Sequence, residues 1–415
     1  MRSPDRRPVL KRPILARCFA ATAVTLIWTS VATAQTLTAE QAVQLALENA
    51  ENRVFAEAPA EAAQGAVISA ETWRNPVLSV DREGEDGFGG DGSETSVSIE
   101  RDFDFSGRRT LEIRSAQAEL LAARNAGRIT LAELRAETLT AFYAVLAAEA
   151  EQAAVTALSD QLSALEDATR RRVDAGDASR LELERVRQET LRLPALTAEA
   201  RLAVQAARDA LFVATGADLV TTANPVGDLL PETVSAEALS SLDGSARLSV
   251  LEAEVAAAEA REDAASRIAP EVTLGVGVRH IEGMGEETGV LMSASVPLPL
   301  FDRNRGEQHA RAADARLAEA RLRRERRRLE AEAALLARRS LALHETAQSY
   351  EAEALTSARE LRRIALVSYS AGEIGALEAI DAMRAAFEAE RQAISLKHRM
   401  REAEIALHAL LAETE

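Results

Sequence analysis

One half of this chain is written twice. The segment DFDFSGRR (Asp102–Arg109) has its counterpart in PLPLFDRNRG (Pro297–Gly306), where Phe105 falls on Phe301 at an offset of 196 residues. The same offset carries VDAGDASRLE (Val173–Glu182) onto YSAGEIGALE (Tyr369–Glu378), and Gly176 onto Gly372. Asn75-Pro76 and Ala269-Pro270 form a third pair, 194 residues apart. Three landmarks in one order imply a duplicated unit, so the fold has to be built from two similar halves.

Each half reads the same way. A helix of about 30 residues comes first, Thr38 to Arg74 and then Ser235 to Ile268, each halted by a proline that cannot continue it. Two strands follow. In the first half they are Val77 to Arg82 and Thr95 to Phe105, joined by EGEDGFGGDGSE; in the second, Glu271 to His280 and Gly289 to Leu298, joined around EGMGEE. They alternate with period two. Val97, Ile99, Phe103 and Phe105 share one face with Arg101, while Ser96, Ser98, Glu100, Asp102 and Asp104 share the other. Val272, Leu274, Val276, Val278, Val290, Met292, Ala294 and Val296 give the second pair its apolar face. A very long helix then runs from Gly107 to Val173, and from Asn304 to Ser368. About 65 residues at 1.5 Å each span roughly 100 Å. Both helices break at a glycine, Gly176 or Gly372, and a returning helix begins at once. The first return contains Pro194, which is expected to kink it, and stops at Gly216; the second runs to the C-terminus.

Low aromatic content, 3%, argues against several thick globular cores and for long packed helices. Residues 1–34 read as a secretory signal peptide: a basic start, an apolar run from Phe19 to Val31, and Ala32-Thr33-Ala34 before a cut at Gln35. The run is shorter than a membrane-spanning helix needs. Cys18, the single cysteine, precedes that run and is not placed for lipid attachment. Its removal excludes disulfides, thiolate metal sites and cysteine catalysis from the mature chain. It leaves 43 basic against 65 acidic residues, a net charge of −22, which disfavours nucleic acid and favours cations. The expected organisation is therefore a signal peptide (1–34), a first repeat (35–216), a linker or equatorial segment (217–234) and a second repeat (235–415).

Two isolated β-hairpins are marginal in water. A closed barrel assembled from several chains would bury both their faces and their edges, and strands of about ten residues with one apolar face have the length and pattern of transmembrane β-strands. At this point the residues resemble a family. The signal peptide, the duplicated unit, the SGRR and PLPLFDRNRG junctions and the paired Ala-Gly tips are similar to the TolC-like outer-membrane efflux proteins. The likeness runs from Thr36 to Ala412, and VPLPLFDRNRG is most similar to the CzcC-like branch, which serves heavy-metal cation efflux.

The resemblance implies a mainly α fold with a β-barrel contribution. Three protomers would close a twelve-stranded barrel in the outer membrane of a Gram-negative bacterium, continued by a periplasmic α-helical tunnel. It implies passive conduction without catalytic residues or cofactor, a periplasmic adaptor docking at the tips near Gly176 and Gly372, and an inner-membrane RND pump. Tyr369, Glu378 and Asp381 match the gating tyrosine and the acidic rings of the periplasmic entrance. Gly107, Asn304 and Gly306 mark the strand-to-helix junctions. The chain departs from the prototype at Ile374, where an arginine helps lock the gate, and Arg185 stands where Asp381 does in the first repeat.

Blander readings accompany these. Without the resemblance, Glu378 and Asp381 are solvated helix charges and Tyr369 is a packing residue. The acidic loop DREGEDGFGGDGSE lacks the spacing of a calcium loop. His280, Glu282 and Met284 make at most a weak metal site, and the other histidines are scattered. No nucleophile elbow is present. Within the family, a drug-efflux or type I secretion channel is the alternative; outside it, a soluble periplasmic coiled-coil scaffold.

Overall fold

The computed structural model describes residues 36–85, 92–218, 220, 223–230, 244–267, 271–282 and 286–411. The expected signal peptide, Cys18, Met284, the stop at Pro270 and the tip of the first acidic loop lie outside them. Both halves repeat one plan. The first contains β1 (Thr36–Leu37), α1 (Ala39–Glu48), α2 (Ala50–Glu71), β2 (Val77–Glu85), β3 (Gly92–Phe103), α3 (Arg108–Ala175), α4 (Arg180–Thr190) and α5 (Leu193–Thr215). After β4 (Asn224–Pro225) the second contains α6 (Ala246–Ser266), β5 (Val272–Glu282), β6 (Glu287–Ser295), α7 (Arg305–Ser349), α8 (Thr356–Ala371) and α9 (Ala376–Leu411). Among the described residues no helix is long and apolar enough to cross a membrane.

Three helices expected to be continuous are interrupted. Asn49 divides the first one: it leaves the helical conformation, its side chain caps Glu51 N–H at 2.9 Å, and its amide donates to the Thr215 carbonyl. At Pro194 the return breaks instead of kinking, because Pro194 sits in the first turn of α5, where its missing N–H costs nothing. The second long helix passes through a π turn, Tyr350–Leu355, between α7 and α8. This turn is braced by Lys397 on Glu351 (2.8 Å) and by Arg359 and Arg362 on Glu390.

The four longer strands make one antiparallel sheet in the order β2-β3-β5-β6, so β3 and β5 join the two repeats. Its register stacks like with like. Val80, Val97, Val278 and Val290 form one row, and Leu78, Ile99, Val276 and Met292 the next. On the opposite face Ser79, Ser98 and Gly277 align, as do Glu100, Gly275 and Ser293. From Val97 to Phe103 the apolar rows cover about 20 Å of strand, close to the roughly 25 Å band of an outer-membrane barrel. Nothing among the described residues covers them: Val80, Val276, Val278, Val290 and Met292 are all exposed.

Asp104 was expected on the polar face; it caps α3 instead. Its carboxylate accepts from Ser106 N–H at 2.7 Å and Arg109 N–H at 3.1 Å, and from the Ser106 hydroxyl. Burial alone pushes such a group up, but these hydrogen bonds outweigh it and hold Asp104 below the usual carboxylate range. Gly107 turns the chain into α3 with φ 75°, and Asn304 makes the same left-handed turn into α7 with φ 59°. Asparagine tolerates that conformation better than most residues. Gly306 is not part of the turn: it lies inside α7, with open space around it.

Two apolar cores are the largest of those that hold the helices among the described residues. One, around Phe142, Val145, Leu211 and Leu37, lies where β1 pairs with β4. The other, near the glycine turns, gathers Leu158, Leu162, Leu165, Val186, Ile380, Met383 and Phe387.

Candidate functional site

Both glycine turns close alike. Gly176 (φ 85°) donates to the Val173 carbonyl while Asp177 N–H reaches Arg172 O at 2.8 Å; Gly372 (φ 77°) donates to Tyr369 O while Glu373 N–H reaches Ser368 O at 2.9 Å. This is the glycine-terminated helix end that only a left-handed residue permits. The two tips are therefore brought side by side with the same geometry.

Tyr369 ties them together. It is 4% exposed, and its hydroxyl is 2.6 Å from Thr169 Oγ1, which itself donates to the Leu165 carbonyl. Arg172 covers the ring, its guanidinium carbon 4.9 Å from the centroid, and donates to the Tyr369 carbonyl at 3.2 Å and to the Asp177 carbonyl at 3.4 Å. Ile374 packs half-buried against this core. Arg172 thus links both turns from the first repeat.

The paired acids have a local structural reason. Ser179 and Glu182 form a reciprocal cap at the start of α4, with both hydrogen bonds at 3.1 Å. Glu378 occupies the same third position of α9, with Gly375 where Ser179 stands. Carboxylate oxygens of Glu378 and Glu182 lie 3.0 and 3.1 Å from the place a Gly375 Cβ would take. Two like charges therefore converge over one glycine. Glu378 and Asp381 are both exposed on the outer side of α9, while Ala379, Ile380, Ala382 and Met383 are buried beneath. Arg185 is exposed on α4, without a carboxylate matching Asp381 in the first repeat.

At the other end of the long helices the polar face of the sheet carries Asp102, which accepts from Thr273 Oγ1 at 2.7 Å, and Glu100, which accepts from Ser293 Oγ at 3.2 Å. Phe103 and Phe105 stack with centroids 6.3 Å apart. His280 Nδ1 lies 3.0 Å from Thr288 Oγ1 and its Nε2 lies 4.0 Å from Glu282, and no group of metal-binding side chains is present among the described residues.

A two-faced sheet and rods of about 100 Å in a twofold repeat suit a conduit better than a reaction centre. Residues 42–217 and 240–413 match the sequence profile described as outer membrane efflux protein, which covers both repeats. The chain belongs to that family. As an outer membrane efflux protein it is 25% identical over 360 residues to the cobalt-zinc-cadmium resistance protein CzcC of Cupriavidus metallidurans, spanning 85% of this chain and 84% of that protein. Its fold matches crystal structures of CusC (TM-score 0.76, 17% identity, 90% of this chain and 91% of that one) and of the outer membrane protein VceC from Vibrio cholerae (0.75, 18%, 90% and 96%). A membrane protein from Pseudomonas aeruginosa gives 0.77 at 20% identity, with 90% of each chain covered. CusC forms a transmembrane channel, and the mainly α fold with a barrel sheet is the one the sequence led us to expect.

The sequence reading singled out Tyr369, Glu378 and Asp381, and the structure brings them to one tip. It missed Arg172 and Thr169. Neither stands out among the charged and polar residues at the end of α3; only their contact with Tyr369 across the turn reveals them.

Proposed function

We propose that three copies of this chain form the outer-membrane duct of a tripartite efflux system, conducting divalent heavy-metal cations passively from periplasm to exterior. Likeness to the cobalt-zinc-cadmium resistance protein over most of both lengths is the observation that carries the cation assignment. The sheet supports the assembly. Its outer strands β2 and β6 have unpaired edges, and three four-stranded sheets joined edge to edge remove them all. The apolar face would meet lipid and the face carrying Glu100 and Asp102 the lumen. The tips near Gly176 and Gly372 would face the periplasmic adaptor, and through it the RND pump.

Deletion of the gene tests the substrate. Growth against zinc, cobalt and cadmium should fall, with tolerance of hydrophobic drugs unchanged. New drug sensitivity with unaltered metal tolerance would transfer the protein to the drug-efflux reading.

At the entrance, Glu378 and Asp381 from three copies would ring the axis as a cation-favouring constriction. Replacing them together, Glu378→Gln and Asp381→Asn, should lower the cation-to-anion permeability ratio in planar bilayers severalfold. An unchanged ratio would return both to the role of exposed helix charges, with Glu378 serving the start of α9.

A further inference from the structure

Arg101 interrupts the apolar face of the sheet one row from its helical end, level with Leu274 and Ala294. An arginine in a lipid-facing row costs least at the membrane interface, where headgroups reach it. Four arginines stand at this junction, and they divide into two kinds. Arg74 pairs with Glu271 at 3.1 Å and approaches Asp102 at 3.9 Å, while Arg108 pairs with Glu112 at 2.8 Å. Arg101 and Arg109 have no carboxylate partner among the described residues.

These two share an aromatic ring instead. Their guanidinium carbons lie 5.0 and 4.1 Å from the centroid of Trp73, and that of Arg101 is also 5.3 Å from the Phe103 ring. Arg109 donates to the Glu71 carbonyl. The Nε of Arg101 is shielded and meets no acceptor among the described residues. Beyond them the surface stays apolar and open, with Phe105, Leu298, Leu300 and Phe301 exposed. Two cations without a carboxylate partner thus share an indole at the helical end of the sheet's apolar face.

We propose that Arg101 and Arg109 bind the phosphate of a membrane phospholipid at the periplasmic rim of the barrel, with Trp73 and Phe103 flanking the glycerol and the acyl chains lying along Ile99 and Val97. Charge complementarity selects this occupant. Arginine is suited to phosphate oxygens, and the headgroup region is where a long cationic side chain at the edge of an apolar band places its charge. Arg109 brings the helical end of the site and Arg101 its membrane end, so a phosphate between them stands at the boundary.

The inference rests on the sheet lying in a membrane, and the experiment separates the two. The assembled protein is purified in a mild detergent, and native mass spectrometry follows binding of phosphatidylglycerol, of diacylglycerol with the same acyl chains, and of inorganic phosphate. The wild type should retain phosphatidylglycerol about tenfold more tightly than diacylglycerol, the worth of a charge-assisted hydrogen bond, with no competition from millimolar phosphate. Arg101→Gln with Arg109→Gln should erase that preference, and Arg108→Gln should keep it. Equal retention of the two lipids by the wild type overturns the proposal without any variant. So does a preference that survives in the double variant, or one that free phosphate displaces. Failure to bind either lipid would instead count against the membrane position of the sheet.

Discussion

Gly277→Val is expected to abolish the assembled, heat-modifiable form that a closed barrel should give in a detergent extract. A Cβ at Gly277 would meet the Val97 carbonyl and stand 2.8 Å from both Cα and Cβ of Ser98. The added atoms push against backbone and against a Cβ fixed to it, so nothing flexible can give way. Gly275 stands two residues away, with Glu100 Cγ 2.9 Å from its would-be Cβ. Relief by separating the strands breaks the one seam that joins the two hairpins. Relief by slipping one residue turns every apolar side chain to the wrong face. Overpacking of this kind costs about 1–3 kcal/mol per site, repeated in each copy. Gly289→Val, with nothing within 4 Å of its Cβ, serves as the control and should still assemble. Heat-modifiable Gly277→Val at wild-type yield would show that the close seam is not needed. A wild type that extracts without detergent would favour the soluble scaffold.

In the proposed channel, Arg172→Ala should open the tip at the glycine turns. The guanidinium holds two carbonyls, one on each turn, and stacks on Tyr369, so its removal loses three contacts between the turns in a single step. Two charge-assisted hydrogen bonds and a cation–π contact together make about 2 kcal/mol a modest figure, enough for roughly a 30-fold change in a closed-to-open ratio. Tyr369→Phe removes only the bond to Thr169 at 2.6 Å and should shift the ratio less, by about 1 kcal/mol. The two share a ring, so the double variant should fall short of the sum. Conductance in planar bilayers reads the effect directly: a severalfold rise for Arg172→Ala, a smaller one for Tyr369→Phe. Unchanged conductance in both would make this cluster ordinary packing and place the closure elsewhere.

The architecture was legible because its signals are periodic and repeated. Strand alternation, the run of helix formers and the paired glycines each recur, and each recurrence corrects the other half. Local exceptions were harder. Asn49 ends a helix through a capping bond to Glu51, a competition with helical hydrogen bonding that any asparagine can win or lose. The π turn at Tyr350 has no marker in composition, since Ala, Glu and Leu fill it as they fill the α-helix around it. Gly306 was expected at the second strand-to-helix junction together with Asn304, yet of the two only Asn304 takes the left-handed conformation. Ser179 and Glu182 carry the serine-x-x-glutamate pattern of a helix cap, and the structure uses them as one. Arg172 and Arg101 were opaque for a common reason. What distinguishes each is the aromatic ring it covers, and that ring is distant in the chain or on another element.

The strand order has a further consequence. Within one chain the second strand of the first hairpin lies against the first strand of the second. In the proposed ring, the second strand of the second hairpin would lie against the first strand of the next chain's first hairpin. Every junction around the circumference then has the same polarity, whether or not a peptide connects its sides. Such a ring is pseudo-sixfold: six hairpins set in alternation, three of their joints internal to a chain and three between chains. The covalent connection decides only which joints form by folding and which by collision, so a chain opened at β3 and β5 and closed through β6 and β2 would describe the same cylinder.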